Sequence, residues 1–201
     1  MPQRNPLSRV TVVQRFAPAG PGEALEPALR AYARYREGLR GHDSGVTLRL
    51  LPPTTGYVRL DLWHGVESLL RATHDDSFLP HLAAVTSPTH HELAVSVGRM
   101  PATVPLTEAA HLLLVRAVVD SEPARFEMDF GALVGQCVTA EGYGGSELLR
   151  SVVDPRAYTG ILWWHTRTHC TRALTTPGYL DRRTKLTTTA TITETQATPL
   201  H

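Results

Sequence analysis

The sequence predicts an α+β protein made of two tandem units, each with the element order β-α-β-β-α-β. Two observations carry this. The first is an internal repeat at a constant offset of 101 residues, which pairs Tyr57 with Tyr158, Trp63 with Trp164, Arg71 with Arg172 and Leu79 with Leu180. Carried back without a gap, the same offset pairs Arg15 with Arg116, Gly41 with Gly142, Leu48 with Leu149 and Arg49 with Arg150. It gives thirteen identities over residues 10–86 against 111–187. A register kept for so long marks a duplicated domain. The second is the succession of β-branched runs, helical spacings and turn signals, which is the same in both halves.

Taken in order, residues 10–16 are β-branched and read as a strand, and the Pro/Gly segment 17–22 as a turn. Leu25, Leu29, Tyr32, Arg36 and Leu39 recur at helical spacing within residues 23–40, and Gly41 is a natural stop. Residues 46–51 and 57–64 are strands joined through the Pro52-Pro53 turn. A helical run over 67–85 breaks near 77–80, and residues 92–97 alternate as a fourth strand. In the second half, strands are expected at 112–119, 147–153 and 158–165, and helices at 122–140 and 167–185. The Thr-rich run 187–195 is expected to be the last strand. Residues 98–110, with Pro101 and Pro105, read as a linker between a first unit (1–97) and a second (111–201).

This is the ferredoxin-like order. Two helices cover one face of each sheet, and the other face needs a partner. The expected architecture is therefore a pair of tandem ferredoxin-like units forming an intramolecular dimeric α+β barrel.

Bulk properties narrow the function. A net charge of +1 supplies no field to gather nucleic acid or an anionic membrane. No run of about eighteen apolar residues suggests a membrane span, and residues 1–9 lack the apolar core of a secretory signal. Cys137 and Cys170 fit no zinc or redox spacing and read as buried free thiols of a cytoplasmic protein. His74, His81, His90, His91 and Glu92 match no tight ligand motif, so no metal site is expected. There is no GxGxxG, Walker or GxSxG signature.

The segments Gly142-Tyr143-Gly144-Gly145-Ser146-Glu147-Leu148-Leu149-Arg150-Ser151, Asp154-Pro155, Tyr158 to Trp164 and Pro177-Gly178-Tyr179-Leu180 resemble the antibiotic biosynthesis monooxygenase family. The first unit matches through Gly41, Leu48-Arg49, Tyr57, Trp63 and Phe78-Leu79, which makes the chain similar to a tandem-domain member. The resemblance implies a pocket between sheet and helices in each unit, an aromatic polyketide substrate and O2 as co-substrate with no cofactor. For tandem ring-opening relatives it implies reduced flavin (FADH2 or FMNH2). A polyketide cyclase or a non-catalytic ligand-binding protein on the same fold are the alternatives. A further homodimer of the two-unit chain is compatible with the sequence. In quinone-forming relatives an Asn lies four residues before the strand Trp; here that position holds Arg59 and Gly160.

Residues two apart on a strand share a face. Tyr57, Arg59, Asp61 and Trp63 therefore lie together, opposite Val58, Leu60 and Leu62. The apolar set is expected to pack on the helices and the polar set to bind substrate, Arg59 holding a phenolate and Trp63 stacking on a ring. An Arg59–Asp61 pair on a solvated face or at an interface is the plainer reading. In the second unit Tyr158, Gly160 and Trp164 occupy the same face, with Gly160 leaving room for a ring. His165 or His169, with Arg150 and Tyr143, would supply proton transfer and anion stabilisation around that space. A shared strand-end hydrogen bond would equally explain why His64 and His165 recur.

Overall fold

The computed structural model describes residues 9–17, 25–75, 77–85, 89–120 and 122–200. The chain divides into two compact units, Met1–Val95 with Leu200–His201, and Ser96–Pro199.

Unit 1 contains β1 (Val10–Phe16), α1 (Glu26–Glu37), β2 (His42–Leu50), β3 (Tyr57–Trp63), α2 (Val66–Thr73), α3 (Phe78–Ala83) and β4 (Thr89–Met100). The last residues of β4, from Ser96 on, belong to unit 2. β1 lies between β3 and β4, and β3 between β1 and β2, all antiparallel, so the sheet order is β4-β1-β3-β2. Unit 2 contains β5 (His111–Val119), α4 (Pro123–Val138), β6 (Tyr143–Ser151), β7 (Ala157–Trp164), α5 (Arg167–Leu174), α6 (Pro177–Leu186) and β8 (Ala190–Pro199). Its order is β8-β5-β7-β6, again antiparallel throughout. Both are ferredoxin-like sheets with helices on one face.

The repeat extends to fine detail. β2 and β6 carry a register shift at equivalent places, His42/Ser44 and Tyr143/Gly145. Gly41 and Gly142 precede these shifts with φ of 88° and 71°, a region that favours glycine. Their carbonyls accept the His64 and His165 N–H at 3.0 and 2.9 Å. A side chain at Gly142 would also collide with His169, whose Nδ1 lies 1.9 Å from where a Cβ would stand.

Several boundaries differ from expectation, β2 among them, which starts at His42 rather than residue 46. The helical run over 167–185 is two helices, because Pro177 has no N–H to continue α5 and the Thr176 hydroxyl instead accepts the Tyr179 N–H at 3.3 Å. The last strand starts at Ala190, because the hydroxyls of Thr187, Thr188 and Thr189 bond back to the carbonyls of Thr184, Lys185 and Leu186. Those threonines finish a helix rather than open a strand. The hairpin strand of unit 2 occupies Tyr143–Ser151, earlier than the expected 147–153, because the bulged Gly144-Gly145 stretch pairs with β7. The fourth strand continues to Met100, into residues read as linker, and a single 3-10 turn at Leu106–Glu108 precedes β5.

The core of unit 2 is one large apolar cluster joining α4 (Phe126, Phe130, Leu133, Val134, Cys137), β7 (Tyr158, Leu162, Trp164) and α5 (Cys170, Ala173). Cys137 and Cys170 are free and buried, and burial pushes both thiols up to about 12. Among the described residues, unit 1 has smaller clusters, one around Phe16, Leu29, Tyr32 and Phe78 and another around Val10, Val12, Trp63 and Ala72.

Candidate functional site

The face of β3 that meets the helices is the polar one, not the apolar one expected. Tyr57 donates to Glu26 Oε1 at the start of α1 (3.0 Å), and Arg36 of α1 reaches Asp61 (3.3 Å) and stacks over the Trp63 ring (4.9 Å). Val58 and Leu60 are buried on the opposite face. Hydrophobicity alone points the wrong way here because the charged side chains pair with one another and enter a closed layer as a group. Asp61 is the hub. Its Oδ2 accepts from Arg59 Nε at 3.0 Å, its Oδ1 pairs with His42 Nε2 at 2.9 Å, and Arg59 Nη1 continues to Thr47 Oγ1 at 2.9 Å. Burial alone would raise the Asp61 carboxyl, but the His42 hydrogen bond and the Arg59 and Arg36 charges together hold it below the usual carboxylate range. Arg59, Asp61 and Trp63 are all buried, so the solvated-face reading of the Arg59–Asp61 pair does not hold.

In unit 2 the equivalent face also meets its helices, through different chemistry. Tyr158 packs on Phe126 of α4 with ring centroids 4.8 Å apart, and its hydroxyl donates to Glu127 Oε1 at 2.8 Å. Arg150 stands over the Tyr158 ring at 5.6 Å, with Nη1 3.7 Å from Glu127 Oε1 and Nε donating to the Pro155 carbonyl. Burial raises the Tyr158 phenol, and the adjacent Glu127 raises it further. Gly160 does not leave open space: a Cβ there would lie 2.4 Å from Cζ of Phe130, so the ring it admits is the protein's own.

A cavity of about 220 Å³ opens in unit 2 along one side of α4. Glu127, Phe130, Gly131 and Val134, at helical spacing, form its helix wall; Ser146 and Leu148 of β6 and residues 97–100 form the rest. The lining is mostly apolar, with Glu127 and Ser146 as polar groups and exposed Val97 and Met100 at the rim. Tyr143, next to Ser146, is buried; burial pushes its phenol up to about 12 against the pull of Ser146, and its hydroxyl lacks a partner of good geometry.

The remaining sequence candidates do not converge on one point. Tyr143 pairs with Trp164 across the β6–β7 ladder, and Arg150 with Tyr158. The six residue steps along β7 from Tyr158 to Trp164 separate these ends by roughly 20 Å. Tyr143 meets Trp164 edge-on at the far end, where Trp164 is fully buried. His165 is exposed there, 3.4 Å from Thr103, and His169 lies against Gly142 with Nε2 3.6 Å from Glu141. Neither histidine lines the cavity. The expected grouping of His165, His169, Arg150 and Tyr143 around Gly160 is thus replaced by two separate groups.

Glu127 is the functional candidate that sequence reasoning missed, and the signal was present. The offset of 101 makes Glu26 and Glu127 an identical pair. In unit 1 Glu26 likewise takes the Tyr57 hydroxyl and an ion pair from Arg49, so a Glu–Arg–Tyr arrangement is built twice. Burial raises the Tyr57 phenol too, with Glu26 adding to it. Among the described residues, no three His, Cys, Asp or Glu side chains gather as metal ligands, and no helix is long and apolar enough to cross a membrane.

No protein-family model matches the chain, and no curated protein matches it in sequence. Solved structures do share its fold. A candidate monooxygenase from Fusobacterium nucleatum subsp. nucleatum aligns over 96% of this chain and 93% of its own with a TM-score of 0.76 at 10% identity. An anthrone oxidase-like protein aligns over 96% and 92%, with a TM-score of 0.73 at 11% identity. A candidate monooxygenase from Lactobacillus acidophilus aligns over 96% and 95%, with a TM-score of 0.68 at 10% identity. At these identities the likeness is one of fold.

Proposed function

We propose that this protein is an oxygenase that tailors a phenolic ring of an aromatic polyketide in antibiotic biosynthesis, and that the reaction occurs in the cavity of unit 2. The observation that carries this reading is the apolar cavity with one carboxylate, Glu127, on its wall, held from behind by Tyr158 and Arg150. The fold likeness to proteins named as monooxygenases and anthrone oxidase supports it.

Ground-state O2 reacts slowly with closed-shell molecules, so a substrate must first become a good electron donor. An anthrone or phenol does so by losing a proton, which needs a base beside an apolar, water-poor pocket. Both described contacts of Glu127 fall on Oε1, which leaves Oε2 as the proton acceptor. The Tyr158 hydroxyl and Arg150 fix the carboxylate, and Ser146 offers a hydrogen bond to the developing oxyanion. The anion then passes an electron to O2, and the radical pair collapses to a carbon-bound peroxide. Loss of the second C–H proton with O–O cleavage leaves the ketone of a quinone and releases water. For a CH2 group the balance is CH2 + O2 → C=O + H2O, with all four electrons drawn from the substrate.

Hydroxylation, by contrast, consumes two further electrons and would need an external two-electron reductant such as reduced flavin. The cavity, at about 220 Å³, is below the roughly 300–1,000 Å³ of sites that hold cofactors and drug-sized ligands. It does not suit a flavin. One ring of a polycycle would enter, with the remainder projecting past Val97 and Met100.

The test is turnover of anthrone and angucycline-type phenols in air and under strict anaerobiosis, without added reductant. One O2 consumed per quinone formed is expected. Turnover that persists unchanged without oxygen would replace the oxygenase with a cyclase, for which the same Glu127–Tyr158 pair would serve as acid and base.

A further inference from the structure

Around Asp61, between α1 and the sheet of unit 1, two buried guanidiniums share one buried carboxylate, and the reaction proposed for unit 2 makes no use of them. The other buried carboxylate of the layer, Glu26, stands ten residues earlier on α1 with Arg49 and Tyr57. Arg36 and Arg59 are each 1% exposed and Asp61 is 0% exposed. Among the described residues the ion pairs of both guanidiniums end on this one carboxylate, Arg59 Nη2 at 2.7 Å and Arg36 Nη2 at 3.3 Å. Two permanent cations thus share one anion, where an uncompensated charge is strongly disfavoured.

The two guanidiniums are not equally served. Arg59 bonds Asp61 through Nε and Thr47 through Nη1. Among the described residues, Arg36 Nε and Nη2 are buried without a hydrogen-bond partner, the contact of Nη2 with Asp61 lying outside hydrogen-bond geometry, whereas Arg59 leaves only Nη2 so, 2.7 Å from Asp61. Apart from Asp61, the Arg36 charge is met by the rings of Trp63, Tyr32 and Phe78, whose centroids lie 4.9, 5.5 and 5.6 Å away. Rings attract a cation but accept no conventional hydrogen bond in its plane. Nε–H and Nη2–H share one edge of the guanidinium, and that edge fits the two oxygens of a carboxylate.

We propose that unit 1 contains an anion site in which the Nε/Nη2 edge of Arg36 grips a small planar carboxylate. The ligand supplies the missing negative charge, and Asp61, His42 and Arg59 hold the opposite side of the cluster in place. Arg36 and Trp63 are closed off from solvent, so entry requires one wall to move. Phe78, one of the rings around Arg36, belongs to α3, which is only six residues long, and displacement of that helix would open this wall. The site does not depend on the reading of unit 2.

The experiment uses the whole chain with formate and acetate as probes, with acetamide as an uncharged control and ionic strength held constant with chloride. For wild type, Tm should rise with the logarithm of carboxylate concentration once binding saturates, with a matching change in tryptophan fluorescence that is lost in Trp63→Phe. Arg36→Lys, which keeps the charge but not the fork, should bind roughly ten- to hundredfold more weakly. Arg36→Gln, checked for native secondary structure by circular dichroism, should not respond. A wild type that responds to carboxylate no more than to acetamide and chloride overturns the proposal. So does an undiminished response in either Arg36 variant, which would place the anion elsewhere, including beside the unit 2 cavity.

Discussion

The two units have the same frame and opposite interiors. Where unit 1 buries Asp61, unit 2 has Leu162; where unit 1 has Arg36, Tyr32 and Thr47 behind the helix, unit 2 has Cys137, Leu133 and Leu148. Arg59 corresponds to Gly160, and the volume given up by that glycine is filled by Phe130. What stays constant is the edge of the layer: the Glu–Arg–Tyr arrangement, the buried strand tryptophan, and the glycine that lets the following helix approach. Duplication therefore preserved the parts that fix strand and helix positions, while the space between them diverged. Unit 1 adds a buried ion-pair cluster to the apolar packing of its first helix, and unit 2 holds its helices by apolar packing beside a cavity.

The largest effect that could break this contrast is at Asp61. Asp61→Asn would leave two buried guanidiniums without a carboxylate, and removing one partner of a buried pair costs about 3–5 kcal/mol. Leu162→Ala at the matching position should cost about 2–5 kcal/mol through a cavity, so magnitude alone does not separate the units. Acid titration does. The Asp61 carboxyl lies below its unfolded value of 3.8, so its contribution is present above that pH and is lost as pH falls through the folded value. Denaturation curves across the acid range should show a limb that flattens in Asp61→Asn and stays in Leu162→Ala. An unchanged limb in Asp61→Asn would mean that the cluster is not what ties unit 1 to pH.

Next in size is Gly160→Ala. Its Cβ would press on the Phe130 ring, and overpacking of this kind costs about 1–3 kcal/mol. Phe130→Leu in the same chain should recover most of the loss. A Gly160→Ala protein as stable as wild type in urea would show that the ring has room to move. The smallest effect compares the tyrosines: Tyr57→Phe and Tyr158→Phe should each cost about 1 kcal/mol. Near-equal values would support a shared structural role, and kinetic measurements would then show whether Tyr158 alone also lowers turnover.

The frame was legible in the sequence because it repeats. One offset paired Gly41 with Gly142 and Trp63 with Trp164 and matched the order of strands in the two halves, and it contained the Glu26–Glu127 identity among its thirteen. The interiors were less legible, for specific reasons. The alternation of β3 was correct, but which side met the helices depended on Arg36, a helix residue that nothing in β3 announces. The room left by Gly160 was real in the backbone and was taken by a side chain thirty positions earlier. His165 and His169 suit proton chemistry, yet both follow Trp164, at the end of β7 opposite Arg150 and Tyr158. The Thr-rich stretch was misplaced because hydroxyls that favour strands by shape also bond to helix carbonyls.

The central claim is that unit 2 carries the chemistry through Glu127, while the same arrangement in unit 1 is structural. Oxygen uptake with an anthrone substrate, measured for Glu127→Gln and Glu26→Gln side by side, tests it most directly. Loss of a general base should lower kcat/KM of Glu127→Gln by roughly 10²–10⁴-fold, with Glu26→Gln remaining close to wild type. Oxygen uptake that survives in Glu127→Gln and disappears in Glu26→Gln would contradict the account and move the reaction to unit 1.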